Sequence, residues 1–283
     1  MSHDNPIGPL LEAVALSPSA DDESMGLVSS WLDLQPLHQG HLVACTSEDL
    51  GRITLYAAGQ PEAFAPAVGT FLADAGASEQ ELETLASAGE GLEAAQVGSW
   101  LALSPDGLDA GWYFPVNMPS AKARNFAPAN AVRESLFRWA QRSAVSDCAQ
   151  LRRSVDPDAP STEMTFVIPG EDPDHELAIV QQGFASVGAP WFASELDAAL
   201  RGSDSIELLL SVVIGATGLE ACGVLIPEPN EQLLEAAQKQ AARFSLDHLD
   251  DFDATLDLDL PGMLGCFQYP WGMGLERFFP LGA

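Results

Sequence analysis

The sequence predicts an α/β chain of the α+β kind, with ten antiparallel strands closed into a barrel and ringed by helices. Three observations lead there. A short strand pattern recurs: GLEACGVLIP (218–227) is matched by GLDAGWYFP (107–115) and GLERFFP (274–280), each after an apolar run and a glycine-containing turn, the mark of a β-hairpin. Two further matching segments, GRITLYAAG (51–59) and EMTFVIPG (163–170), end two more hairpins. Helical sequence separates the five hairpins, so the order reads αα then ββ, five times over. An open sheet cannot hide ten strands' worth of apolar side chains. A closed barrel under helices can, and a ten-stranded one is wider than side chains alone fill, which leaves a ligand-sized lumen.

Taken in order, helices are expected at 9–16 and 21–34, the second opening on Asp21, Asp22 and Glu23, whose carboxylates suit a helix N-terminus. The first hairpin spans 41–59. Helices follow at 62–76 and 79–88, the latter with Ser78 and Glu81 in capping-box spacing. Hairpin two is 95–116, and a Pro- and Ala-rich loop covers 117–128. An amphipathic helix runs over 129–146, with Val132, Leu136, Phe137, Trp139 and Ala140 on one side. Hairpin three, 149–170, turns at DPDAP (156–160). Helices at 174–187 and 191–201 lead to hairpin four, 206–227. Helices at 230–244 and 246–254 lead to the last hairpin, 263–281. No low-complexity linker divides the chain, so one domain, 1–283, is expected.

Of its 283 residues 47% are hydrophobic, enough for one large core. Forty-one acidic residues against twelve basic ones give a net charge of −29, which repels phosphate backbones and argues against a nucleic-acid partner. The four cysteines, Cys45, Cys148, Cys222 and Cys266, lack metal-ligand spacing and lie in or beside expected strands, as buried thiols of a reducing compartment do. The first residues lack a basic segment before a long apolar core, and no apolar run is long enough to span a membrane. A cytoplasmic protein without a membrane partner is expected. The acidic run 247–259 has the wrong spacing for the Asp-rich metal motif of all-helical isoprenoid enzymes and reads as a solvated helix; no metal ligand is named. No GxxxxGKS, GxSxG or HExxH motif is present.

Strand side chains alternate, and the face under helices must be apolar. In GRITLYAAG this puts Ile53, Leu55 and Ala57 under helices and Arg52, Thr54 and Tyr56 inside. EMTFVIPG puts Met164, Phe166 and Ile168 outside and Glu163, Thr165 and Val167 inside. One of Arg152 and Arg153 must face inward. In the last strand Arg277 and Phe279 share one face and Glu276 and Phe278 the other, and which is inner stays open. The same holds for Trp112 against Gly111 and Tyr113, because a one-residue slip exchanges the sets.

Five consecutive ααββ units, with the strand patterns HLVACTSEDLGRITLYAAG, AGWYFPVNMP, STEMTFVIPG and GLERFFPLG, resemble the ABBA, or PT-barrel, prenyltransferases over essentially the whole chain. In length the chain is nearest to the cyanobactin-type peptide enzymes. The resemblance implies transfer of a prenyl group from prenyl diphosphate to an electron-rich aromatic or peptide acceptor in the lumen, with magnesium as a candidate cofactor. It implies that Arg52, Arg277 and one of Arg152 and Arg153 bind the diphosphate. Tyr56 and Trp112 would flank the prenyl chain, Thr54 and Thr165 would line the substrate site, and His41 or Glu163 would act as base. Basic residues of the family fall here on Ala110, Glu163 and Ala221 or Cys222. The alternative is a repurposed barrel that binds a small molecule or peptide without using prenyl diphosphate. An acidic lumen implies a neutral or cationic acceptor, since a carboxylate acceptor would be desolvated near like charge.

Overall fold

The computed structural model describes residues 7–115, 118–156, 160–170, 172–202, 207–241 and 246–281. The first two units are α1 (Ile7–Val14), α2 (Asp22–Leu34), β1 (Gly40–Ser47), β2 (Ile53–Gly59), then α3 (Pro61–Asp74), α4 (Glu79–Leu92), β3 (Val97–Ser104) and β4 (Gly107–Phe114). The third holds a two-residue strand β5 (Met118–Pro119), the one-turn helix α5 (Ser120–Ala123), α6 (Ala131–Arg142), β6 (Asp147–Ser154) and β7 (Ser161–Val167). The last two are α7 (Pro173–Val187), α8 (Ser194–Arg201), β8 (Leu209–Gly215), β9 (Gly218–Pro227), and α9 (Glu231–Gln240), α10 (Leu246–Leu256), β10 (Met263–Tyr269), β11 (Gly272–Leu281). Side-chain caps start α2 (Asp21), α4 (Ser78), α6 (Asn130), α7 (Asp172) and α9 (Asn230). The turn expected at 156–160 falls largely outside the described residues.

The strands form the expected closed antiparallel barrel. Its circuit is β1-β2-β3-β4-β6-β7-β8-β9-β10-β11 and back to β1, with β5 added to the edge of β6. Two elements differ from expectation. The segment 117–128 carries β5 and α5 where a loop was expected. The helix expected from residue 191 begins at Ser194, because Trp191 and Phe192 pack edge-on and tilted against Phe184 instead of continuing a helix.

The apolar core lies between barrel and helices. Ile53, Leu55, Ala57, Met164, Phe166 and Ile168 all belong to it, as the alternation requires. Inside the barrel two smaller apolar clusters form, one around Tyr56, Trp100 and Tyr113 and one around Phe267 and Leu225. These large rings lie across the interior because glycines sit beneath them. A Cβ on Gly223 would stand 2.4 Å from the Phe267 ring. Gly111, where β4 meets β6 and the barrel closes, would bring a Cβ to 1.9 Å from the Arg153 carbonyl and 2.6 Å from the Trp100 indole nitrogen.

Gly111→Ala should therefore overpack the closure and lower stability by about 1–3 kcal/mol. Gly69→Ala, in α3 with nothing within 4 Å of the added methyl, should gain roughly 0.5–1 kcal/mol from helix propensity. Urea unfolding of the two variants measures both, and equal effects would contradict the closure geometry.

Candidate functional site: an acidic barrel lumen

At the end of the barrel where the hairpin turns gather, the lumen opens as a cavity of ≈760 Å³. At the opposite end lies a smaller one of ≈270 Å³, lined by His41, Tyr56, Tyr113, Gln150, Met263 and Phe278 among others. A waist separates them. Tyr56 is its centre, edge-on to Tyr113 at 5.4 Å and tilted against Phe278 at 6.5 Å. Arg152 crosses it: Nε is 2.8 Å from Glu163 Oε2, Nη1 donates to the Tyr56 hydroxyl, and the guanidinium lies 4.9 Å over the Trp100 ring. Ser211 Oγ donates to the other oxygen of Glu163 at 2.6 Å. Arg152 and Glu163 are thus engaged with one another and with their neighbours, and both charged side chains are nearly buried.

Of the remaining expected site residues, Arg52 and Thr54 line the larger cavity. Arg52 pairs loosely with Asp109, 3.9 Å away, and both side chains are well exposed. Thr165 lies between Gln150 and Ser211 in the sheet, buried, its hydroxyl without a partner among the described residues. His41 stands in the small cavity, where burial lowers its pKa. It is on the far side of the waist from the cavity that Glu163 lines, so the two candidate bases do not share a chamber.

Three expected residues face the helices instead. Arg277 is ion-paired to Asp253 of α10 and lies 4.8 Å over the Phe279 ring. Leu275, Phe279 and Leu281 take the outer face of β11 and carry Arg277 with them. Trp112 donates its indole N–H to Glu81 Oε1 of α4 at 2.9 Å, and the same carboxylate holds Arg153 Nε at 2.9 Å. Arg152 is therefore the inward member of its pair. The inner faces of β11 and β4 belong to Glu276 and Phe278 and to Gly111 and Tyr113.

Apart from Glu163, the acidic residues of the lumen are ones that sequence reasoning missed. Eight carboxylates and two guanidiniums, Arg52 and Arg152, line the larger cavity. Deep in it are Glu163 and Glu276, with Glu48 in the adjoining wall; toward the turns are Asp49, Asp106, Asp109, Asp156 and Glu220. Glu276 accepts from the Tyr269 hydroxyl (2.8 Å) and weakly from the Cys45 thiol (3.8 Å). Glu48 Oε2 accepts from the Leu275 amide at 2.9 Å, and its Oε1 is buried without a partner among the described residues. Tyr269 and Trp271 stack face to face, 4.8 Å apart, at the mouth. Burial holds Glu48 and Glu220 above the usual carboxyl range; Glu276 is raised by burial and by Glu163, against the pull of Arg152 and Arg52. Burial also keeps the Cys45 thiol and the Tyr56 and Tyr269 phenols protonated, so none supplies an anionic nucleophile. Among the described residues no group of three or more His, Cys, Asp or Glu is arranged to hold a metal ion. No helix of the described residues is long and apolar enough to cross a membrane.

Solved structures define the architecture. The chain is similar to 6-dimethylallyltryptophan synthase from Micromonospora olivasterospora, crystallised with DMASPP and Trp, at a TM-score of 0.67 and 13% identity, covering 99% of this chain and 98% of that one. AnaPT from Neosartorya fischeri gives 0.65 and 9% over 98% and 93% of the two chains. NotF, in complex with brevianamide F and DMSPP, gives 0.59 and 11% over 100% and 97%. The fold is the PT barrel of the ABBA prenyltransferases. No protein-family model matches the sequence. It is 31% identical over 210 residues to a PH domain-containing protein of Dictyostelium discoideum, an alignment covering 71% of this chain and 46% of that protein, so the chain spans about half the length of that curated relative.

A carboxyl that binds its proton more tightly folded than unfolded lowers stability as pH rises from its usual value, 4.5 for Glu48, to its folded value. The stability difference between Glu48→Gln and the parent should therefore move in favour of the variant as pH is raised from about 4 to about 7. Thermal melts at the two pH values check this; a shift toward the parent would contradict it.

Proposed function

We propose that this chain is a PT barrel whose lumen holds a neutral or cationic small molecule and does not use a prenyl diphosphate. The observation that carries the reading is the state of Arg152, which Glu163 and Tyr56 already engage. A diphosphate needs several free cationic donors to take its charge. Here it would meet Glu163 and Glu276 at the same depth, and like charges about 4 Å apart repel by about 4 kcal/mol at an effective dielectric of 20. Arg52, the other guanidinium of the chamber, stands exposed at the rim. The same surplus of carboxylates attracts a cation and tolerates a neutral ring among Trp100, Phe267 and Tyr269.

A second reading is prenyl transfer to an aromatic acceptor, favoured by fold neighbours that hold DMASPP together with Trp or brevianamide F. In that reading Arg52 and Arg152 bind the diphosphate, Thr54, Tyr56 and Thr165 line the donor site, and Glu163 takes the acceptor proton. Trp112, Arg153 and Arg277 take no part, and an indole, phenol or basic peptide side chain is the acceptor.

Calorimetry with DMASPP and geranyl thiodiphosphate, with and without magnesium, separates the two. The first reading expects no heat of binding at millimolar ligand. Binding that Arg52→Ala weakens by roughly 1.5–3 kcal/mol, the usual worth of a charged hydrogen bond, would overturn it in favour of transfer.

A further inference from the structure

The larger cavity holds more carboxylates than guanidiniums. Among the described residues, no ion pair involves Glu276 or Glu48. Glu276 lies on the inner face of β11 and is partly open to the lumen. Glu48 is 2% exposed, forms the adjoining wall, and points one oxygen at no donor. A buried carboxylate oxygen without a donor is unfavourable in an interior, and a cation entering from the lumen would satisfy it.

The chemistry of that cation can be narrowed. A calcium-type site takes about six to eight oxygen ligands, and no group of three or more His, Cys, Asp or Glu that could hold a metal is found among the described residues. A guanidinium presents its donors in one fixed plane, whereas a primary ammonium directs three N–H bonds to separate acceptors. Glu276 and Glu48 offer such acceptors from adjoining positions, Glu276 being paired in the sheet with Ser47, the residue before Glu48. The negative charge is also spread along the depth of the chamber, from Glu276 to Asp109, Asp106 and Glu220 near the turns. One ammonium neutralises one level. A flexible chain with several ammoniums meets several levels at once, and its methylenes can lie against the stacked rings of Tyr269 and Trp271, which favour cations and their stems. At ≈760 Å³ the cavity lies within the range of ligand pockets.

We propose that this chamber binds a linear polyamine, with a terminal ammonium held by Glu276 and Glu48, the inner ammoniums facing the rim carboxylates, and the chain against Tyr269 and Trp271. The assignment rests on the reading of the lumen as a cation-tolerant site that does not take diphosphate, and it deepens that reading by naming the ligand class.

The test is calorimetry of the full chain with butylamine, putrescine and spermidine at low salt, with DMASPP as a parallel arm. Affinity should climb at each step of the amine series and fall with added salt. Glu276→Gln should weaken spermidine about tenfold or more, the loss of one charged contact, while Glu62→Gln, on the exposed side of α3, should stay within about twofold. Trp271→Ala, at a 46% exposed side chain, keeps the test open should Glu276→Gln fail to fold, and it should also weaken spermidine. Equal affinity for butylamine and spermidine would overturn the multi-ammonium assignment while leaving a cation-holding lumen in place. Absence of binding by any amine would overturn the inference. Binding of DMASPP in the same experiment would overturn the underlying reading as well.

Discussion

The ion pair of Arg152 with Glu163 at the barrel's waist is the interaction on which the chemistry of this lumen turns. Buried pairs of this kind are weak evidence for stability, since desolvation offsets most of their attraction, but breaking one leaves a costly unpaired charge. Here the pair does more than balance itself. Arg152 also caps the Tyr56 hydroxyl and covers the Trp100 face, so the side chains that divide the lumen hold one another in place. A guanidinium held this way would loosen its contact with Glu163 or Tyr56 in turning toward an incoming phosphate.

The outer layer solves the same problem with different partners. Arg153 and Trp112 share Glu81, and Arg277 takes Asp253, so cations and N–H groups that the strands carry outward are met by helix carboxylates. The barrel thus sorts charge by face. Positive groups on the outer face are neutralised beneath helices, while carboxylates accumulate inside. The rest of the interior is shaped by glycines under large rings, which let Trp100 and Phe267 lie across the bore and leave the acidic chamber on the turn side.

Much of this fold was legible. The five hairpins and the outward sets Ile53, Leu55, Met164 and Phe166 follow from alternation alone, because those strands have one unambiguously apolar face. The faces of Arg277 and Trp112 stayed open in the strand pattern, and only the resemblance drew them to the lumen, because each is amphipathic and its partner, Asp253 or Glu81, lies 24 or 31 residues away, where no strand pattern can see it. The apolar run Leu275, Phe279, Leu281 held the missing signal for Arg277. Between Arg152 and Arg153 alternation could not decide, since a register shift between Cys148 and Gln150 interrupts β6. Glu48 lies just past the end of β1, outside any alternation, and its role emerges only when the Leu275 amide closes on it.

If Arg152 is silenced by Glu163, removing that charge should release it. The most direct measurement is the affinity of DMASPP for Glu163→Gln combined with Glu276→Gln, set beside the parent chain. Tighter binding by the double variant is the expected result, by at least about tenfold for one regained charged contact. A parent chain that binds DMASPP as tightly as the double variant would contradict the account.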